Sequence, residues 1–208
     1  MQVTDIVYAD GWKIWRDDQM RTCACRCVNP QERNQELERR AQLPRVDGQI
    51  CSLAQRYAEK FDRKNCWLMF QGAQGKTAQA VLIARAVINR GFKVRYIHLP
   101  SFVRDLVALR TKPGLRKEYL DALRVSLVVV DDLLRNLPAV NAFEYPATKD
   151  AINDVFFTLA NNRIPAVITT SASWSQIGAF DQSLASQIYD HTKGYVARFS
   201  NDWELERL

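Results

Sequence analysis

The chain has 208 residues, 29 Lys+Arg against 23 Asp+Glu and 47% hydrophobic residues, a balance that can bury a core and lies far from the composition of disordered chains. The net charge of +6 and a pI near 9.2 tilt it toward anionic partners such as nucleotides or nucleic acid, though such an excess is also common on soluble surfaces. No apolar run approaches the ~18 residues of a membrane helix and Met1-Gln2-Val3-Thr4-Asp5 has no signal-like pattern, so a cytoplasmic protein is expected.

At the N-terminal end, Ile6-Val7-Tyr8 and Trp12-Lys13-Ile14-Trp15 flank Asp10-Gly11, a dipeptide that supplies the positive φ of a tight hairpin turn. The spacing predicts a hairpin over residues 4–17. Three of the five cysteines then crowd into Cys23-Ala24-Cys25-Arg26-Cys27, too close for a disulfide within the cluster. Zinc would take these three thiolates with Cys51 or Cys66 as a fourth ligand; the alternative is a vestigial knuckle of reduced thiols. Pro30 opens a helix over 31–42, rich in Glu and Arg and stopped before Pro44. A second helix is expected over 49–62, where Ile50, Leu53, Ala54, Tyr57, Ala58 and Phe61 fall at three- and four-residue steps.

The composition changes near residue 65. From Cys66 onward short apolar runs alternate with helical patterns, the sequence form of a parallel sheet with helices on its faces. Strands are expected at Cys66–Gln71, Lys93–His98, Ser126–Asp131, Ala166–Thr170 and Tyr195–Phe199. Helices are expected at Thr77–Arg90, Ser101–Arg110, Leu115–Leu123, Thr148–Asn162 and about Gln182–Asp190.

The chemistry gathers at two of these junctions. The strand Trp67–Gln71 runs into Gly72-Ala73-Gln74-Gly75-Lys76-Thr77 and a long apolar helix. This is the setting of a P-loop, in which backbone N–H groups and a helix start surround phosphates, the Lys reaches the β/γ oxygens and the Thr hydroxyl binds Mg²⁺. The usual motif has four residues between its glycines, whereas only Ala73 and Gln74 lie between Gly72 and Gly75. Read at full length instead, the loop puts Phe70 at the first glycine position and Ala73 at an inner one. Gly75-Lys76-Thr77 could also be an ordinary helix start or a decayed site. The second junction is Leu127-Val128-Val129-Val130-Asp131-Asp132, a buried strand ending in two acids that are costly there without a metal, water or basic partner. In P-loop proteins such a first acid positions Mg²⁺ and the second orients attacking water. The structural alternative is an Asp that ends the strand and another that caps a turn.

In their order along the chain, these parts resemble the AAA+ domain of the DnaC/DnaI helicase loaders and the related IstB transposition ATPases. The stretches that carry the resemblance are Trp67–Thr77 with the helix to Gly91, Phe92–Ile97 with Phe102–Leu106, Leu123–Leu133, and Asn162–Ser171. The N-terminal hairpin, Cys-x-Cys and Arg/Glu-rich helix resemble the short zinc-bearing head of many loaders, although the upstream Cys-x-x-Cys of those heads is missing. The resemblance implies an α/β fold, an AAA+ P-loop domain with a central parallel sheet flanked by helices over 46–208, plus a small hairpin and helix head over 1–45 that binds the helicase.

On that resemblance Gly72, Ala73, Gln74, Gly75, Lys76 and Thr77 would hold ATP, Thr77 and Asp131 the Mg²⁺, and Asp132 would orient water. Thr170 or Ser171 would be the polar sensor by the γ-phosphate. Ala172 stands where the family usually has Asn, and Ser183 and Gln187 stand where loaders tend to carry arginines, one of them a finger reaching a neighbouring subunit. Arg163 or Arg198 would have to substitute, and hydrolysis is expected to be weak.

The function implied is that of an ATP-dependent loader that binds the hexameric replicative DNA helicase and assists its placement on single-stranded DNA, as an oligomer with the helicase or on DNA. The alternatives are an IstB-like transposition helper and a non-hydrolysing adaptor with a degenerate P-loop. Arg104, Arg110, Lys112, Arg116, Lys117 and Arg124 are expected on the solvent side of helices, as a groove for single-stranded DNA or simply as a solvated face. His98 reads as a packed strand-end residue and His191 as a loop residue.

Overall fold

The computed structural model describes residues 4–9, 12–16, 22–25, 30–62, 66–72, 74–135, 145–199 and 203–208. The chain forms two compact units, Met1–Leu37 and Glu38–Leu208.

In the first unit β1 (Thr4–Ala9), β2 (Trp12–Arg16) and β3 (Thr22–Cys25) make a three-stranded sheet in that order. Val7 pairs with Ile14 and Tyr8 with Lys13, which is the expected hairpin; its Asp10-Gly11 turn lies outside the described residues. The third strand is one for which the sequence reading had no expectation: Cys23 and Cys25 pair antiparallel with Trp15 and Lys13, and four residues of Thr-Cys-Ala-Cys are too short for an alternation to register. Helix α1 (Pro30–Ala41) starts at its proline, whose fixed φ suits a first helical turn, and crosses the boundary between the units.

The second unit opens with α2 (Ser52–Glu59), shorter than the expected helix because Cys51 caps it and it stops at Lys60. Then come β4 (Leu68–Gln71), α3 (Lys76–Asn89), β5 (Val94–His98), α4 (Leu99–Ala108), α5 (Pro113–Asp121), β6 (Leu127–Leu133) and α6 (Tyr145–Asn161). The chain continues through β7 (Ala166–Thr170), α7 (Trp174–Phe180), α8 (Gln182–Thr192), β8 (Tyr195–Phe199) and β9 (Trp203–Arg207).

The six strands form one sheet in the order β5-β6-β7-β4-β8-β9. All neighbours run parallel except β8 and β9. Every residue of β4, β6 and β7 is buried, which is why these strands read as continuous apolar runs. Helix α3 packs on β6 and β7, α4 on β5 and β6, and α6 on α4 and α8. Met69, Val128, Val130 and Ile168 of the sheet meet Leu106, Val155, Phe156 and Ile188 of the helices in the core.

In the second unit, two elements escape the sequence reading. Helix α7 has one clear signal, the Ser173 and Gln176 side chains closing a reciprocal capping box. Strand β9 has little signal, since Trp203 alone of its residues is buried and an edge strand needs no apolar alternation. His191 is not in a loop: it lies in the last turn of α8 and stacks on Trp67 at 4.3 Å, while Trp67 Nε1 donates to the Ile164 carbonyl at 2.9 Å. Burial lowers the His191 pKa more than the Asp190 charge raises it, as a neutral packed imidazole requires.

Asp181 fastens α6 to the start of α8. Its buried carboxylate accepts from the N–H groups of Ser183 and Leu184 at 2.7 and 3.1 Å, from Asn153 Nδ2 at 2.9 Å and from Lys149 Nζ at 3.1 Å. Burial pushes this carboxyl up, but the bonds from Asn153, Leu184, Lys149 and Ser183 outweigh it and hold it down to about 2. A carboxyl whose folded pKa lies below its unfolded one contributes stability that is present above the unfolded value near 4 and is lost as pH falls toward 2. Asp181→Asn should therefore destabilise the chain by about 2 kcal/mol at pH 7 and shrink the acid-side fall of the unfolding free energy. Urea denaturation across pH 2–7 checks this; an unchanged acid limb would contradict it.

Candidate functional site

Strand β4 lies between β7 and β8, yet the chain leaving it through α3 returns at β5, on the far edge of the sheet. Such a change of direction leaves a crevice beyond the carboxyl ends of the strands, where open α/β sheets bind ligands. Gly72, Lys76, Thr77, Asp131 and Asp132 lie at that end.

The phosphate-loop candidate begins at Gly72, because Phe70 lies inside β4 and is fully buried. Gly72 has φ +140 and a Cβ on it would meet nothing within 4 Å, so its backbone angle, not lack of space, is what asks for glycine. Gly75, at φ +78, is the left-handed N-cap of α3 and brings no side-chain acceptor to the first-turn N–H groups, the condition under which a helix start takes an anion. Gln74 is exposed, and Ala73 lies outside the described residues. Lys76 is buried and donates its Nζ to the Gly72 carbonyl, so its ammonium curls over the loop. Burial lowers the Lys76 pKa, with Arg135 adding to the drop, against the opposing pull of the Asp132 and Asp131 carboxylates.

The two acids owe their placement to a bulge. Val130 pairs with Ile168 and Leu133 with Thr170, so Asp131 and Asp132 together oppose the single residue Thr169. In a regular strand neighbouring side chains point to opposite faces; the extra residue, with Asp132 at φ +64, breaks that alternation. The strand therefore continues past the expected end at Asp131, through to Leu133.

Thr169 stitches the bulge together. Its hydroxyl donates to Asp131 Oδ1 at 2.6 Å and accepts the Asp132 N–H at 2.9 Å. Thr77 Oγ1 donates to the same Asp131 oxygen at 2.8 Å, and Tyr96 OH donates to the other at 2.7 Å. Burial raises the Tyr96 pKa, and its bond to Asp131 raises it further, so the phenol stays a donor. Thr169 and Tyr96 were not singled out from the sequence. The first sits one residue before the Thr170 that was, and the second gives no signal, since a tyrosine in a strand is usually packing.

The Asp132 carboxylate is engaged by Arg135 Nη1 at 3.1 and 3.3 Å and faces His98 Nε2 at 3.5 Å. His98 is thus not packed as expected: its side chain is 45% exposed, at the end of β5, with Nδ1 2.9 Å from Ser101 Oγ. The Thr170 hydroxyl donates to the Leu133 carbonyl at 2.8 Å and accepts the Ala172 N–H at 3.0 Å, and Ser171 is exposed.

Of the two arginines considered as finger substitutes, Arg163 precedes β7, at the sheet end opposite the crevice. Arg198 is already engaged, by Gln71 Oε1 at 2.9 Å and Glu206 at 2.8 Å. Ser183 and Gln187 lie in α8. Arg116 is not on the solvent face: it is mostly buried, bonded to Asp154 at 2.5 Å and to the Leu106 carbonyl at 2.7 Å. Arg104, Arg110, Lys112, Lys117 and Arg124 are exposed.

The donor sets differ in what they fit. A hydroxyl and a carboxylate oxygen in contact, Thr77 and Asp131, suit the hard Mg²⁺ ion, which takes one or two protein oxygens together with phosphates and waters. The open, positive-φ loop under an ammonium suits a polyphosphate. Zinc has no such support, because no group of three His, Cys, Asp or Glu side chains is placed for a metal among the described residues. Cys51 Sγ instead caps α2 by accepting the Ala54 N–H at 3.4 Å, Cys66 is exposed, and Cys27 lies outside the described residues.

No protein-family model and no curated protein sequence matches the chain. Solved structures match its fold. The crystal structure of the DnaC helicase loader aligns at a TM-score of 0.57 and 16% identity, over 71% of this chain and 86% of that one. The crystal structure of DnaI aligns at 0.54 and 18%, over 71% and 81%. The replication initiator DnaA bound to AMPPCP and single-stranded DNA aligns at 0.56 and 16%, over 84% and 51%. The chain therefore shares the fold of these structures, a mostly parallel sheet flanked by helices, as the sequence reading expected.

The bulge generates a test. Thr169→Val keeps the shape of a fully buried side chain but strips Asp131 of one donor and leaves the Asp132 N–H without its acceptor, a loss of about 1–3 kcal/mol. Urea denaturation measures it, and a change below ~0.5 kcal/mol would mean that the bulge is held by something else.

Proposed function

We propose that the chain is a nucleotide-dependent AAA+ replication protein of the loader kind, which binds the hexameric replicative DNA helicase through residues 1–45 and assists its placement on single-stranded DNA. The observation that carries this reading is the convergence of Lys76, Thr77, Asp131 and Asp132 at one sheet end, in a fold shared with the DnaC helicase loader and with DnaI and with an initiator bound to a nucleotide analogue and single-stranded DNA.

In this reading Gly72–Thr77 holds the polyphosphate of ATP. When bound, Mg²⁺ neutralises phosphate charge, and Thr77 and Asp131 are the residues that would hold it. Lys76 would leave the Gly72 carbonyl for a phosphate oxygen, a stronger partner for a buried ammonium. Thr169 and Tyr96 keep Asp131 in one orientation throughout. Thr170 lies at the end of the strand between the loop and the acids, the position of a sensor. Arg104, Arg110, Lys112, Lys117 and Arg124 offer phosphate contacts to single-stranded DNA.

A specific observation favours little or no turnover. Arg135 bonds the Asp132 carboxylate and His98 faces it, so this carboxylate would have to leave its partner before it could orient a water. The adaptor reading, binding without hydrolysis, is the form of the proposal in which this pairing persists. The work would then be conformational, with nucleotide setting the assembly state.

The test is capture of purified replicative helicase by the full chain, with and without a non-hydrolysable ATP analogue. Lys76→Ala should weaken analogue binding at least tenfold, as expected for loss of a charged hydrogen bond worth ~1.5–3 kcal/mol. Deleting Met1–Leu37, a compact unit by itself, should abolish helicase capture and spare analogue binding. Equal analogue affinity in Lys76→Ala would refute the nucleotide site, and undiminished capture by the truncated chain would refute the helicase-binding head.

A further inference from the structure

The C-terminal hairpin β8–β9 has no part in that reading, yet it reaches the phosphate loop at two places. The first is Trp203. A Cβ on Gly75 would stand 3.7 Å from Trp203 Cζ2 and 3.8 Å from its Nε1, which is van der Waals contact, so the indole lies against the N-cap of α3. The same ring meets Phe70 edge-on at 5.0 Å and Phe199 at 5.5 Å, and Trp203 is 5% exposed. One indole thus touches both the strand that enters the loop and the helix start that leaves it. The second place is Arg198, which ties Gln71, the residue before Gly72, to Glu206 of β9.

A loop shorter than the usual motif needs some other constraint on its shape. Gly75 in the left-handed region gives up backbone freedom on ordering, and a flat, rigid aromatic in edge-to-face contact supplies packing at low rotamer cost. We propose that Trp203 is a positioning residue for the phosphate loop: wedged between Phe70 and Gly75, its indole sets the angle at which α3 leaves β4, and so couples docking of β9 to the loop's anion-ready shape. The coupling is reciprocal. Whatever orders the loop also holds β9 in place, and release of β9 loosens the loop. The inference rests on the nucleotide reading for what the loop holds, but the loop's own order can be measured without nucleotide.

The experiment is amide hydrogen exchange on the full, nucleotide-free chain. Trp203→Leu should speed exchange at Gly72 and Gln79, whose N–H groups bond the Thr170 and Gly75 carbonyls, by at least about tenfold, Trp203→Phe should restore it to within about threefold, and Phe199→Leu, which loosens the same aromatic group without touching Gly75, should change it less than about twofold. Exchange in Trp203→Leu no faster than in Phe199→Leu would overturn the proposal. Should Trp203→Leu fail to fold, the wild-type chain in graded sub-denaturing urea decides: loop and β9 amides should open in one step, and a loop that opens while β9 stays protected would overturn it equally. Loss of the nucleotide reading shows separately, as analogue binding indifferent to Lys76→Ala.

Discussion

The Thr169 hydroxyl, donating to one acid and accepting from the backbone of the next, is the interaction on which the site depends. Without the bulge that it closes, Asp131 and Asp132 would project to opposite faces of β6. With it, Asp131 becomes a meeting point for α3, β5, β6 and β7 through Thr77, Tyr96 and Thr169. A carboxylate that is 3% exposed is tolerable only when so surrounded by donors. The same three hydroxyls that make its burial acceptable also fix the orientation of the oxygen shared with Thr77.

Around that point the fold supplies two different surroundings for two neighbouring acids. Asp131 is bonded by three neutral hydroxyls. Asp132 is bonded by Arg135 and faces His98. The loop Gly72–Thr77 beside them is roofed by Lys76 and backed by the aromatic rings of Phe70 and Trp203.

Much of the fold is legible in the sequence because burial on both faces writes itself as unbroken apolar runs. Ala166–Thr170 and Tyr195–Phe199 match the structure residue for residue, and Gly75-Lys76-Thr77 stands where a strand-to-helix turn is expected. What could not be read depends on contacts distant in sequence. The bulge at Asp131–Asp132 is a property of pairing with β7, and Tyr96 becomes a ligand of Asp131 only because β5 lies beside β6. Strand β9 is polar because it is an edge, and His191 is packed because Trp67 stacks on it from 124 positions earlier in the chain (191 − 67). Arg116, counted with the surface cations on composition, is turned inward by Asp154.

The measurement that bears most directly on this account is the Mg²⁺ dependence of ATP-analogue affinity, by titration calorimetry, in the wild-type chain and in Asp131→Asn. If Thr77 and Asp131 share a cation with the phosphates, Mg²⁺ should tighten wild-type binding by at least about tenfold and should change the affinity of the variant by less than about twofold. Equal Mg²⁺ dependence in the two proteins, or no analogue binding by the wild-type chain, would contradict it.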